Sequence, residues 1–360
     1  MYPELFKIPY IDWPVPTYGL MIVIGFIFAV LVIRRLSLHI TDNLQVITNA
    51  CLYCLIAGVV GARLFYVVHY FEKFHGQWRY VFAVWQGGLE FLGGVILAII
   101  VLLFYLRWHK LSIRNYFDIL AIGLMVGLAF GRIGCFLKGD CFGKPTNVPW
   151  AVRFPYGSDV YLGQIYPTLK RNRPDPHLPL PTEFFGYYNS KGQTYYGLKG
   201  YEDLTQEQKG KVTSGEYQCL PVHPTQLYSF ANALLCALLL YFFWRRSRKA
   251  VKSNNPEKLF SRPGSTFSLM FILYGVTRFF LETLRDDNPF EYSWWAIYKG
   301  GTVSQNLGIY MATLGVVLII MFQKVKPKAE AGGEDNGKQT ADEIQDSNEK
   351  SAIRGELNAS

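Results

Sequence analysis

Seven mostly apolar stretches dominate this chain, at residues 18–33, 46–68, 89–106, 117–137, 224–244, 265–284 and 307–322. A bilayer core about 30 Å thick is crossed by roughly 20 apolar residues in a helix. Within lipid, only helices and closed barrels satisfy their own backbone polar groups. Runs of Leu, Ile, Val and Phe at this length therefore predict membrane helices. The composition agrees: 50% of the 360 residues are hydrophobic and only 18% are charged, against about 25% in soluble proteins. Both an ordinary soluble globule and a disordered chain are disfavoured.

Charge placement orients the spans. The net charge is +9, from 36 Lys and Arg against 27 Asp and Glu. The basic runs flank the apolar stretches, which points to a membrane and away from nucleic acid. With seven spans, Arg34/Arg35, Arg107/Lys110/Arg114, the run from Arg245 to Arg262, and Lys324/Lys326/Lys328 all share one side. The opposite side carries Lys7, Lys73 and Arg79. The basic side is cytoplasmic, so the N-terminus faces out and the C-terminus in. The segment MYPELFKIPYIDWPVP lacks the basic start and short apolar run of a cleavable signal, so the first span is expected to persist. The expectation is an all-α polytopic membrane protein of about seven transmembrane helices with an extracytoplasmic insert. Residues 1–153 hold the first four spans, 154–222 the insert, 223–323 the last three spans, and 324–360 a polar, disordered cytosolic tail. There is no internal repeat of the kind that marks inverted-repeat transporters.

Ionisable residues inside spans are costly and tend to be functional. Arg132 lies in GRIGCFLKGDCFGKPT, where Gly134, Gly139 and Gly143 would let backbone approach a ligand. A snorkelling Arg before a glycine-rich exit loop is the plainer reading. In YGVTRFFLETLR, Arg278, Glu282 and Arg285 recur at i, i+4 and i+7, on one helix face. They form either a helix-gluing ion pair or, with one cation spare, an anion site. Glu90 sits in WQGGLEFLGG, whose glycines also suit tight helix packing. His223 and Pro224 open the fifth span in HPTQLYS, at a helix N-terminus that favours anions. Tyr18 starts the first span. Several Arg at the depth of the outer headgroups suit a phospholipid phosphate. Six Cys are too few and scattered for a disulfide scaffold. Cys51 and Cys54 read as packing residues, and a Cys141–Cys219 disulfide across the insert is open in an oxidising compartment.

These segments, in this order on these spans, resemble the bacterial prolipoprotein diacylglyceryl transferases. YGLMIVIGF and GARLFYV, with Arg63, are similar to the starts of the family's first two spans. GRIGCFLKGDCFG resembles its signature G-R-x-G-N-F-x-N-G-E-x-x-G, HPTQLY its H-P-x-Q-L-Y, and YGVTRFFLETLR its Y-G-x-x-R-x-x-x-E-x-x-R. The resemblance implies an inner-membrane enzyme. It would move the diacylglyceryl group of phosphatidylglycerol onto the lipobox Cys of a prolipoprotein still carrying its signal peptide, and release glycerol phosphate. No metal or organic cofactor and no nucleic acid is implied; the partners are membrane lipid, phosphatidylglycerol and the precursor. Arg132 and Arg278 are the expected phosphate clamp, with Glu282 orienting Arg278 and Arg285. Gly139, Asp140, Gly143, Gln226 and Tyr228 would contact the lipid head group, and Tyr18, Glu90 and His223 would join the catalytic set; Gln305 is a lesser candidate. Three departures stand out: Leu92 replaces the family's third-span His, a proposed base, while Cys135 replaces the signature Asn and Asp140 its Glu. Glu90, if buried, or His223 could serve as base, or the cationic site could favour the thiolate directly. The other readings are a catalytically impaired phospholipid-binding protein of the same fold, and an anion transporter, which would need a polar path to both faces.

Overall fold

The computed structural model describes residues 4–8, 13–41, 43–74, 76, 78–83, 87–190, 193–252 and 262–324. Trp85, Lys258 and the tail beyond Lys324 lie outside these residues. A short hairpin, β1 (Glu4–Ile8) and β2 (Trp13–Pro16), leads into α1 (Thr17–Ser37). The helices α2 (Leu44–His69), α3 (Phe91–Trp108) and α4 (Ile113–Lys138) follow. The insert contains α5 (Asp159–Ile165), the hairpin β3 (Phe185–Ser190) and β4 (Gln193–Leu198), and α6 (Gln206–Thr213). The chain then forms α7 (Thr225–Lys252), α8 (Ser265–Glu282) and α9 (Val303–Lys324).

Six of these helices, α1 to α4, α7 and α9, are long and apolar enough to cross a membrane. They leave Ile22, Ile27 and Phe28 of α1 and Leu314, Val317 and Ile320 of α9 exposed. Large apolar faces of this kind need lipid around them, so this is a multi-pass membrane protein. The seventh expected span, α8, forms as a helix but falls short on apolarity, because it carries Arg278, Glu282 and a Ser/Thr-rich first turn. It packs against α4 and α7. Asp118, a carboxylate at the start of α4 that hydropathy passes over, accepts from the backbone N–H groups of Gly264 and Phe267, both at 2.8 Å. It thereby satisfies orphan donors at the α8 N-terminus.

Glycines set how close the helices come. A Cβ on Gly61 of α2 would lie 2.5 Å from the Gly93 carbonyl oxygen of α3, and one on Gly275 of α8 would lie 2.5 Å from that of Gly308 in α9. Backbones meet there as small-residue stripes allow. For Gly93 and Gly94, tight packing is therefore the correct reading.

Arg63 is buried in the middle of this packing. Its guanidinium donates to the carbonyls of Val81 (2.8 Å), Gly87 (2.7 Å), Gly88 (3.0 Å) and Tyr80. The cation is solvated by backbone, and the link between α2 and α3 is pinned by it.

The insert has apolar packing of its own. Phe154, Val160, Tyr161, Ile165 and Cys219 form one cluster with Phe142, and Phe184, Leu204 and Val212 form another. The hairpin pairs Tyr187 with Tyr196 and Tyr188 with Tyr195 across its strands. Arg171 and Arg173 then reach to the chain after α8: Arg173 meets Asp286 at 2.8 Å, and Arg171 donates to the Arg285 carbonyl at 2.9 Å.

Candidate functional site

The end of α4 positions the first cation. Gly139 ends the helix in the left-handed region, φ 87°, with its N–H on the Cys135 carbonyl at 2.9 Å. The turn that follows is tied to two distant parts of the chain. Lys144 donates its N–H to the Leu284 carbonyl (2.8 Å), and Asp286 donates to that of Phe142 (3.2 Å). On the other side, Thr146 donates to Pro221 (2.8 Å), and His223 to Lys144 (3.1 Å). Gly143 sits at the junction, where a Cβ would come within 2.5 Å of the His223 carbonyl oxygen. Gly139 and Gly143 thus serve a helix stop and a backbone crossing.

The HPTQLY segment holds this turn from the start of α7. Thr225 donates to the Cys141 carbonyl at 2.8 Å and Gln226 to the Asp140 carbonyl at 2.7 Å. The amide nitrogen of Gln226 is therefore engaged by the turn, while its buried Oε1 has no hydrogen-bond partner among the described residues. His223 Nδ1 lies 3.3 Å from the Tyr228 hydroxyl, which accepts from the Trp150 indole at 2.5 Å. Gln305 is spent locally: with Thr302 it makes the reciprocal cap of α9.

The cations differ in what they already hold. Arg132 Nη2 donates to the Tyr274 hydroxyl at 3.4 Å, and its Nη1 is 4.0 Å from the Cys141 sulfur. Among the described residues it has no carboxylate partner. Arg278 pairs with Glu282 at 2.9 Å and donates from the same Nη2 to Ser304 at 2.8 Å, while its buried Nη1 has no hydrogen-bond partner among the described residues. Glu282 is completely buried; it also accepts from Asn288 and stands 3.7 Å from Arg285. Arg285 departs from expectation. α8 ends at Glu282, so the i+7 spacing does not keep Arg285 on the helix face. The chain turns, and Asp287 takes the Arg285 guanidinium at 2.8 and 2.5 Å. Glu282 and Asp287 balance Arg278 and Arg285, so the spare positive charge belongs to Arg132.

Tyr18 belongs with this group. Its ring lies against Gly134, two residues beyond Arg132, and it shares its electrostatic neighbourhood with Cys135, Asp140 and Arg132. Asp140 binds Lys138 at 3.0 Å, and its other carboxylate oxygen is buried without a hydrogen-bond partner among the described residues. Glu90 does not join them. It lies at the N-terminus of α3 with its side chain 28% exposed, so it lacks the burial expected of a base. His69 of α2 holds its carboxylate at 2.9 Å, and its N–H bonds the Ala62 carbonyl. Leu92 is 63% exposed. No Cys141–Cys219 bridge forms: the cysteines are free, and Cys219 is buried on Gln164 and the Leu220 carbonyl. The sulfur beside Cys141 is that of Cys135.

Residues that sequence reasoning passed over are Tyr274, Ser304, Asn288 and Asp287. Tyr274 stands one turn before Arg278, so helical spacing could have found it. The others lie in loops or on α9 and meet the site only through the fold.

The family model for prolipoprotein diacylglyceryl transferase matches residues 3–321. A phosphatidylglycerol–prolipoprotein diacylglyceryl transferase of Buchnera aphidicola (strain 5A) is 29% identical over 297 residues, covering 80% of this chain and 86% of the relative. Proteins of the same name from Roseobacter denitrificans (29% identical, 89% of this chain and 95% of the relative) and Synechocystis (26%, 86% and 87%) match similarly. With a match running from the first hairpin to the end of α9, over the same helices that assemble the arginine site, this chain belongs to the prolipoprotein diacylglyceryl transferase family.

Proposed function

We propose that this protein transfers the diacylglyceryl group of phosphatidylglycerol to the thiol of a prolipoprotein's lipobox cysteine. The observation that carries the reading is the unspent donor capacity of Arg132 and Arg278 beside the glycine-broken end of α4. An arginine held near lipid without a full set of partners is costly, and a phosphate would supply the missing acceptors. In this reading α8 is the seventh span. The basic helix ends face the cytoplasm, and the insert and arginine site face the outer side of the bacterial inner membrane. The four segments 1–153, 154–222, 223–323 and 324–360 serve as first membrane half, extracytoplasmic insert, second membrane half and cytosolic tail.

The incoming thiolate attacks the glyceryl carbon that bears the phosphate ester. The carbon–oxygen bond breaks, a thioether forms, and glycerol phosphate leaves with the bonding electrons. Charge grows on the leaving phosphate, so prepositioned guanidinium groups lower the barrier. Arg132 supplies the net charge. Arg278, oriented by Glu282 and Ser304, supplies a directed N–H, and Arg285 with Asp287 supports Glu282. Tyr18 and Tyr228 add hydroxyl donors, while Gly139, Asp140, Gly143 and Gln226 shape the turn against the head group. The thiol proton goes to His223, whose Nδ1 is oriented by Tyr228; this leaves Glu90 outside the proton path.

The test is transfer by purified protein from phosphatidylglycerol to a peptide bearing a lipobox cysteine, followed by peptide mass and glycerol phosphate release. One added diacylglyceryl unit, lost with Arg132→Ala and with a serine peptide, is the expected result. Lipid binding with no mass added would instead make this a phospholipid-binding member without turnover. His223→Gln should slow transfer about tenfold or more, and Glu90→Gln should leave it unchanged; the reverse pattern would assign the base to Glu90.

A further inference from the structure

Two thiols stand at the foot of the arginine site, and neither has a role in the transfer. Cys135 is buried on the last turns of α4; Cys141 is half-buried six residues later, just past the helix stop, in the left-handed region at φ 58°. The sulfurs of Cys135 and Cys141 lie within 4.8 Å of each other. The Cys141 sulfur is also 4.0 Å from Arg132 Nη1. The adjoining Cys135 thiol, aided by the charge of Arg285 and opposed by burial, pulls the Cys141 thiol down to about 7. A thiolate-prone, partly accessible cysteine beside a second thiol is the arrangement of redox-responsive pairs. Asp140 lies close enough for the three groups to frame a cation. However, the unbalanced Arg132 guanidinium stands 4.0 Å from the Cys141 sulfur, Arg285 adds charge that Asp287 offsets in part, and Lys138 already holds Asp140. That field stabilises a thiolate and opposes a metal ion.

We propose that Cys135 and Cys141 are a reversible dithiol–disulfide pair that controls how freely Arg132 binds the lipid phosphate. The proposal rests on the transferase reading of the site. In the reduced state the Cys141 thiolate competes with the phosphate for Arg132. Oxidation removes that charge. The Cys141 thiolate attacks one sulfur of an external disulfide donor and expels the other as a thiolate. Cys135, having released its proton to water, attacks the Cys141 sulfur of the mixed disulfide and expels the donor's second thiolate. One sulfur–sulfur bond forms here, one breaks in the donor, and the donor leaves as two thiols carrying two electrons and two protons, one released by Cys135 and one taken from the solvent. The oxidised protein is then the form with Arg132 unoccupied.

The experiment treats the full-length protein in detergent with oxidised glutathione or with a phosphine reductant. Trypsin cleavage after Lys138 separates the two cysteines, so a Cys135–Cys141 bond appears as a linked peptide pair. Glycerol phosphate binding is measured on both forms, with Cys135→Ser and Cys141→Ser alongside. The linked pair is expected in the oxidised sample, with glycerol phosphate bound about fivefold tighter, the effect of losing one unit charge about 4 Å away in a watery dielectric. Neither Ser variant should respond to oxidant. The proposal is overturned if both thiols remain open to alkylation after oxidation, if the linked pair forms without a change in affinity, or if the thiols are masked until a chelator strips a bound metal. A transfer assay on the same samples separates the two levels. Transfer with a redox-indifferent affinity sinks the switch and leaves the transferase standing; no transfer and no glycerol phosphate binding in either state sinks both.

Discussion

Arg63 and Arg132 are both guanidinium groups on membrane helices, yet they are solvated in different ways. Arg63 on α2 spends its donors on four backbone carbonyls of the α2–α3 link, with contacts at 2.7 to 3.0 Å to three of them. Among the described residues, Arg132 on α4 has only a 3.4 Å contact to a tyrosine hydroxyl and a distant sulfur. The first cation is a structural clamp whose cost is met by the protein. The second leaves most of its donor capacity unspent among the described residues. An arginine in a span is therefore not in itself a sign of catalysis; what separates the two roles is how much of the guanidinium remains to be satisfied.

Breaking the clamp should have the largest energetic effect. Arg63→Ala leaves several buried carbonyls without donors, at about 1–3 kcal/mol each, and should lower the thermal midpoint in detergent steeply. Proteolysis in the 78–88 link should rise with it. If Arg63→Ala unfolds like the wild type, the carbonyl contacts are not what holds that link. Arg132→Ala should show the opposite profile, with transfer falling about 10²–10³-fold, as for loss of one charge-stabilising donor, and little change in midpoint. An equal loss of stability in both variants would erase the distinction.

Asp118→Asn refines the comparison from the acid side. It keeps the size of a carboxylate that caps α8 and should cost about 1 kcal/mol of stability, in the range of a lost helix cap. Transfer per folded molecule should hold, since Asp118 touches only the far end of α8 from Arg278. The smallest effect belongs to His69→Ala. His69 is 65% exposed and its partner Glu90 28%, so this ion pair contributes at most about 1 kcal/mol. A large loss of transfer in that variant would place the His69–Glu90 pair in the proton path after all.

What the sequence made legible follows from range. Apolar runs report burial in lipid residue by residue, so α1 to α4, α7 and α9 were readable, as was the Arg278–Glu282 pair at one helical turn. The same spacing misplaced Arg285, because periodicity does not mark where a helix stops, and Asp287 claims Arg285 just beyond that point. The surroundings of Glu90 were hidden for a related reason. Its exposure depended on how α3 met α2, and its partner His69 closes α2, across the α2–α3 link. Asp118 was hidden by its apolar neighbours, which outweigh a single carboxylate in any window average. The partner of Cys141 was legible only from the turn that folds the chain back toward α4.

The turn after α4 also bears on the order in which the molecule is completed. It is bonded to residues 221–225 and to residues 284–286, so its shape depends on chain made much later than its own. A ribosome that has delivered α1 to α4 into the bilayer has delivered Arg132 but not the Gln226, Thr225 and Leu284 contacts that seat the turn beside it. Arg278 and its orienting Glu282 arrive only with α8. Biogenesis therefore finishes the arginine site near the end of synthesis, and truncated or half-inserted chains would carry a membrane-embedded arginine without the rest of that site around it.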